Sequence, residues 1–206
     1  MDRETAKKIS IVKKTMNAMV KEIAKPFKYK VINGHIWIVQ NKFLFIFLPY
    51  IATPSTGVTL GIRCGVKPVY VDDYLWDVLG IPENKEAKFS LRVNGAFSLF
   101  DVPFQENIYN LIELTREDVH SKLQNELSSF HSFLCSIQGT EDEWFTEMEA
   151  AKGSYYHSEL MRLMMRLHHG DFMEVLQYAQ THNVTGFVID NKEIGESLKE
   201  YCLERL

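Results

Sequence analysis

The side chains of this sequence that could do chemistry are seven histidines, three cysteines and a few acidic clusters. Glu117-x-x-His120 has the spacing of one half of a di-iron carboxylate site, because residues three apart on a helix project to the same side. Such a site needs a second Glu-x-x-His and two further glutamates, and the second motif is missing, so neither a metal nor a cofactor is expected. Asp72-Asp73 is another carboxylate pair. With no third acidic or histidine ligand at motif spacing, it reads as the N-terminal cap of a short helix running to Leu79.

His157 and His168 lie close to three helical turns apart in one apolar arc, with Met161 and Met164 between them. The ordinary account is a pair of buried histidines hydrogen-bonded to backbone. The sharper one is a polar spot in an apolar ligand cavity formed by His157, Met161, Met164 and His168. Cys64, Cys135 and Cys202 are odd in number and far apart, which fits neither a disulfide framework nor paired zinc ligands. They read as free thiols of a reducing cytoplasm. Cys64 and Cys135 could each be nucleophiles in principle, as could many serines, yet nothing in the sequence ties any of them to a base. A nucleophile elbow, a zinc-protease His-Glu-x-x-His, a phosphate-binding loop and a dinucleotide fingerprint are all missing. No catalytic residue is therefore assigned, and the chain reads as a binding protein before it reads as an enzyme.

Charge points the same way. The formal net charge is −4, with 46% apolar and 24% charged residues, which suits a folded soluble domain and makes nucleic acid an unlikely partner. The first thirty residues, however, carry nine basic against three acidic side chains. On a helix, Lys7, Lys14 and Lys21 fall on one stripe, and the ordinary role of such a stripe is a solvated face. Further along, Glu141, Asp142, Glu143, Glu147 and Glu149 surround Trp144 and Phe145 with no basic residue until Lys152. That stretch complements the lysine stripe, within the chain or in a second copy, and makes Lys7, Lys14, Lys21, Trp144 and Phe145 the candidate partner-binding residues. No secretory signal is expected from the Met-Asp-Arg-Glu start. The apolar run from Phe43 to Ala52 is too short to span a bilayer, so no membrane association is expected either.

The elements that must position these groups follow from periodicity. Ile9, Val12, Met16, Met19, Val20 and Ile23 recur at helical spacing from Arg3 to Lys25, and Pro26 ends that helix. Asn33-Gly34 between two apolar runs is a strong hairpin signal, and Asn41-Lys42 marks a second turn. Both alternating sets of Phe43–Leu48 are apolar, so this strand is covered on both faces. The helices best able to cover it are the N-terminal one and the broadly apolar segment 155–169. In the strand starting at Gly57, the spacing of Gly57, Gly61 and Gly65 marks bulges or close backbone approach. Ala87–Val93 alternates as a strand, and Asn94-Gly95 reads as another hairpin leading to Ala96–Phe100. From Thr115, a cap, the pattern becomes helical. Gly170 ends the 155–169 helix, Asp171 caps the next, 186–189 adds a short strand and 193–205 a last helix. The expected fold class is α+β, an antiparallel meander sheet with an N-terminal helix and a helical C-terminal half, in one domain whose residues 111–206 pack on 1–110.

This order, with Trp37-Ile-Val-Gln40, Val58-Thr-Leu-Gly-Ile62 and Leu167-His168-His169-Gly170-Asp171, resembles a bacterial family of α+β domains of unknown function, over about Ile9 to Ala179. The resemblance implies no activity and no site residue. By fold analogy, the first part is also similar to the small dimeric chaperones of secretion systems, which are acidic and non-catalytic. The function expected is non-catalytic protein binding in the cytoplasm, of an immunity-like or chaperone-like kind, through a protein partner or self-association. The alternative is a small-molecule binder or enzyme with an apolar pocket between the sheet and helix 155–169.

Overall fold

The computed structural model describes residues 3–53, 58–111, 115–136 and 158–206. The fold is α+β, with a five-stranded antiparallel meander in the order β1-β2-β3-β4-β5, a helix at the N-terminus and a helical C-terminal half. The chain divides into two compact units, Met1–Val66 with Pro103–Lys152 and Lys67–Val102 with Gly153–Leu206.

In the first unit, α1 (Arg3–Ala24) buries Met16, Met19, Val20 and Ile23, the apolar arc of the sequence, and a short 3-10 turn containing Pro26 ends it. The strands β1 (Val31–Ile32), β2 (His35–Gln40) and β3 (Phe43–Ala52) are joined by two-residue turns. Asn33 and Gly34 both have positive φ, as do Asn41 and Lys42, the backbone that lets a two-residue turn follow the twist of its strands. The turns fix the register, pairing Ile36 with Phe47 and Ile38 with Phe45. Along β3, Phe43, Leu44, Phe45, Ile46 and Phe47 are all buried, so both faces of the strand are covered. Burying each of these large side chains contributes roughly 1.5–3 kcal/mol, which makes this strand the centre of the unit.

The helix that meets Phe45 and Phe47 is α4 (Arg116–Ser136), through Phe133 and Phe130, where the sequence pointed to segment 155–169. Thr115 starts α4 as expected: its hydroxyl accepts the Asp118 N–H at 3.1 Å while the Asp118 carboxylate accepts the Thr115 N–H at 2.9 Å. β4 (Thr59–Pro68) and β5 (Val102–Asn110) complete the sheet. Three side chains of β5 hold it to α4, since Gln105, Asn107 and Tyr109 all donate to the buried Glu126 carboxylate. Gly61 confirms the close approach read from its spacing, because a Cβ there would run into the Tyr50 ring.

The second unit contains α2 (Tyr70–Val78), a short α3 (Leu91–Asn94), α5 (Ser158–His169), α6 (Phe172–Thr181), α7 (Ile194–Leu203) and a hairpin of β6 (Val188–Ile189) and β7 (Lys192–Glu193). α2 packs on α5 and α7, and α6 packs on α5 and α7. Residues 87–100 correct the sequence reading. They form no strand or Asn-Gly hairpin but a run of i to i+3 turns, Leu91 N–H to Lys88, Arg92 N–H to Phe89 and Val93 N–H to Ser90, leading into α3. Gly95 has φ −71°, outside the region a type I′ turn needs. The segment is pinned by Arg92, which donates to the Val69 carbonyl at 2.9 Å and to Asp73 at 2.6 Å and lies over the Trp76 ring.

Asp72 is also corrected. It caps nothing; it is fully buried against Lys67, itself fully buried, with Nζ 2.8 Å from Oδ2. Lys67 donates to the Leu99 carbonyl at 2.6 Å, and Asp72 Oδ1 accepts the Leu99 N–H at 2.9 Å. The pair thus satisfies both backbone groups of one buried residue. Burial pushes the Asp72 carboxyl up, against the opposing pull of Lys67, the Leu99 N–H and Arg92.

Replacing Lys67 by Met should raise the Asp72 carboxyl further above its unfolded-state value. A raised carboxyl favours the fold only while protonated. The variant should therefore be closest to wild type near about pH 4, and lose about 3–5 kcal/mol as pH rises through the folded-state value. Urea unfolding from pH 4 to 8, with amide exchange at Leu99, checks this. A deficit that is constant with pH would contradict it.

Candidate functional site

The best-formed concavity lies in the first unit, where the exposed side of α1 stands over the sheet and the start of α4. It encloses about 310 Å³ and is lined by Ile11, Val12, Met16 and Met19 of α1, Ile51 of β3, Leu60 of β4, Leu111, and Thr115, Arg116 and Val119 around the start of α4. The arrangement follows from α1 itself. Met16 and Met19 of its apolar arc are buried, while Ile11, about 80° round the helix from Met19 and outside that arc, stays 56% exposed. Leu60 and Val119 form the closed floor.

The polar groups at the groove are few. Thr15 lies on the α1 side, with its hydroxyl turned back to the Ile11 carbonyl at 3.0 Å. The Thr115 hydroxyl is taken by Asp118 at 2.7 Å. Arg116 is exposed and, among the described residues, has no ion pair. Three residues from Ile11 on the helix surface stands Lys14, and Lys14 and Lys21 are exposed. The α1 edge is therefore cationic beside an exposed aliphatic side chain. Glu117 and Asp118, exposed on the first turn of α4, give the opposite rim an acidic component next to Arg116. What the described residues of the groove offer is aliphatic contact beside exposed Lys14 and Arg116.

The residues singled out from the sequence are dispersed. Lys7, Lys14 and Lys21 all belong to α1, and Lys14 and Lys21 are exposed. Trp144, Phe145 and His157 lie outside the described residues. Met161 and Met164 are fully buried in α5. His168 corrects the reading of an inward-facing arc: it is exposed, with its ring stacked on Tyr70 at 3.8 Å between centroids. The last turn of a helix leaves its side chains less covered than the middle, which is why the arc does not hold to its end. Glu117 and His120 sit on the first turn of α4, and no group of three His, Cys, Asp or Glu able to hold a metal ion occurs among the described residues.

No family model, curated protein or solved structure matches this chain. The groove therefore has to be understood from its own chemistry. Sequence reasoning missed Ile51, Leu60 and Arg116 as its members. The one available signal was Ile11 itself, an apolar residue of α1 that lies outside its apolar arc and beside the lysine stripe.

The groove wall and floor should separate by mutation. Ile11→Asp should change stability by no more than about 0.5 kcal/mol, because the side chain is already largely in water. Leu60→Ala, fully buried below it, should cost about 2–5 kcal/mol. Urea unfolding of the two variants checks both.

Proposed function

We propose that this protein is a non-catalytic binding domain, of a chaperone-like or immunity-like kind, and that the α1 groove takes an acidic, aromatic-bearing segment of a protein partner or of a second copy of the chain. The single observation that carries the reading is the coincidence on α1 of an exposed aliphatic groove edge, Ile11, with the lysine stripe of Lys7, Lys14 and Lys21. Apolar side chains in the groove would supply affinity, and carboxylates along the lysine edge would set orientation and speed of association. No helix among the described residues is long and apolar enough to cross a membrane.

A second reading uses the same groove. At about 310 Å³ it is at the lower end of the size range of small-molecule pockets, and its lining is mostly apolar. In that case the ligand would be a small aliphatic molecule, with Arg116 beside it.

Fluorescence anisotropy with a labelled peptide carrying the sequence of residues 140–150 tests the choice, because that sequence joins five carboxylates to Trp144 and Phe145. Binding should weaken with salt, and should drop at least about tenfold in a Lys14→Glu, Lys21→Glu variant and in Ile11→Asp. Absence of binding at millimolar peptide would overturn the choice of partner. Binding of a neutral apolar dye that is blind to salt and to the lysine changes, but lost in Ile11→Asp, would favour the small-molecule reading.

A further inference from the structure

The three cysteines differ sharply in surroundings. Cys64 and Cys202 are fully buried, and burial pushes the Cys202 thiol up despite Arg205 nearby. Cys135 is exposed near the end of α4, and one helical turn back stands His131, with Nε2 3.7 Å from the Cys135 sulfur. The other ring nitrogen, Nδ1, is 2.6 Å from the Tyr29 hydroxyl, and the imidazole also packs against the Phe27 ring at 4.6 Å between centroids. A nucleophile, a base and a group that orients the base therefore lie in one line, the arrangement by which a protein activates a thiol.

We infer that Cys135 is a thiol-modification site, activated by His131 and positioned through it by Tyr29, that exchanges with low-molecular-weight disulfides. The doubly protonated imidazole is the one form that donates in both directions, to the Tyr29 oxygen through Nδ1–H and to a thiolate through Nε2–H. The contacts thus give the thiol proton a place to go, Nε2, while Nδ1–H donates to the Tyr29 oxygen. Burial, and then negative charge at Cys135, push the Tyr29 hydroxyl up, so Tyr29 keeps its own proton and serves as a neutral acceptor. One effect opposes this: Cys135 stands at the carbonyl end of α4, where the helix dipole disfavours an anion.

The exchange balances within the named groups. The Cys135 S–H proton passes to His131 Nε2, and the thiolate attacks one sulfur of the disulfide. The Cys135–sulfur bond forms as the original sulfur–sulfur bond breaks. The departing thiolate takes the proton from His131, so Cys135 is oxidised to a mixed disulfide and one half of the reagent is reduced to a thiol. The buried Cys64 and Cys202 have no such access.

The size of the effect is bounded. A free thiol is only a few per cent ionised at neutral pH; bringing it to half-ionised gains about fifteenfold in thiolate, and the lower nucleophilicity of the more acidic thiol trims this to about three- to fourfold in rate. The test is the rate at which the native protein reacts with 5,5′-dithiobis(2-nitrobenzoate) and with oxidised glutathione, the site being mapped by mass spectrometry. One thiol, Cys135, should react about three- to fourfold faster than a free cysteine peptide at pH 7, and Cys135→Ser should abolish that phase. In His131→Gln the rate should fall to the peptide value and follow a single thiol titration. Tyr29→Phe should give an intermediate rate. The proposal is overturned if native Cys135 reacts no faster than the peptide, if the fast phase maps to Cys64 or Cys202, or if His131→Gln leaves rate and pH profile unchanged. The comparison of the native protein with the peptide decides the matter even if the His131 variant does not fold.

Discussion

A strand apolar on both faces cannot stand at the surface of a sheet, and the first unit is arranged around that constraint. Phe43 through Phe47 leave no polar face to show to water, so β3 has to be interior in two senses: flanked by β2 and β4 through its backbone, and covered through its side chains. The aromatic side chains of α4 answer the odd-numbered phenylalanines, and the capping box at Thr115 fixes where that helix begins. β5 can then be largely polar, since Glu126 of the same helix gathers three of its side chains. The groove is what remains when α1 carries more apolar surface than this arrangement can cover.

The parts of the fold legible in the sequence are those dictated by local backbone chemistry. Asn33-Gly34 and Asn41-Lys42 adopt the positive φ that their turn type requires, and with them the register of three strands is set. The helix arcs at α1, α4 and α5 were legible for a similar reason, since a long repeat at helical spacing is hard to produce otherwise. The segment Ala87–Val93 misled because four alternating apolar residues suit a strand, but a strand needs a partner. Arg92 instead reaches Val69, Asp73 and Trp76, and that tertiary anchoring outweighs a short alternation. β5 escaped notice for the opposite reason: Gln105, Asn107 and Tyr109 look like a polar loop until the buried carboxylate that receives them is known.

Sites were less legible than elements, and the cause is general. Asp72 and Lys67 are five residues apart, a separation with no motif attached, and only the chain path past Leu99 turns them into a buried pair. Arg116 and Ile11 come together from distant parts of the sequence. By contrast, His131 and Cys135 are one helical turn apart, a proximity that α4 dictates directly; the missing element was Tyr29, whose hydroxyl gives the ring its orientation.

Each compact unit is assembled from two stretches, and the stretches alternate along the chain. Synthesis of the protein therefore produces the first sixty-six residues, with β1 to β4 largely in place, long before the α4 aromatics that cover β3 have left the ribosome. The Lys67 ammonium likewise waits only for the nearby Asp72 and Leu99, whereas α5 arrives much later. Neither unit can be excised as one continuous fragment, and a chain truncated before α4 leaves β3 without the aromatics that cover it, open to self-association. The topology thus makes translation through α4 the condition for covering β3.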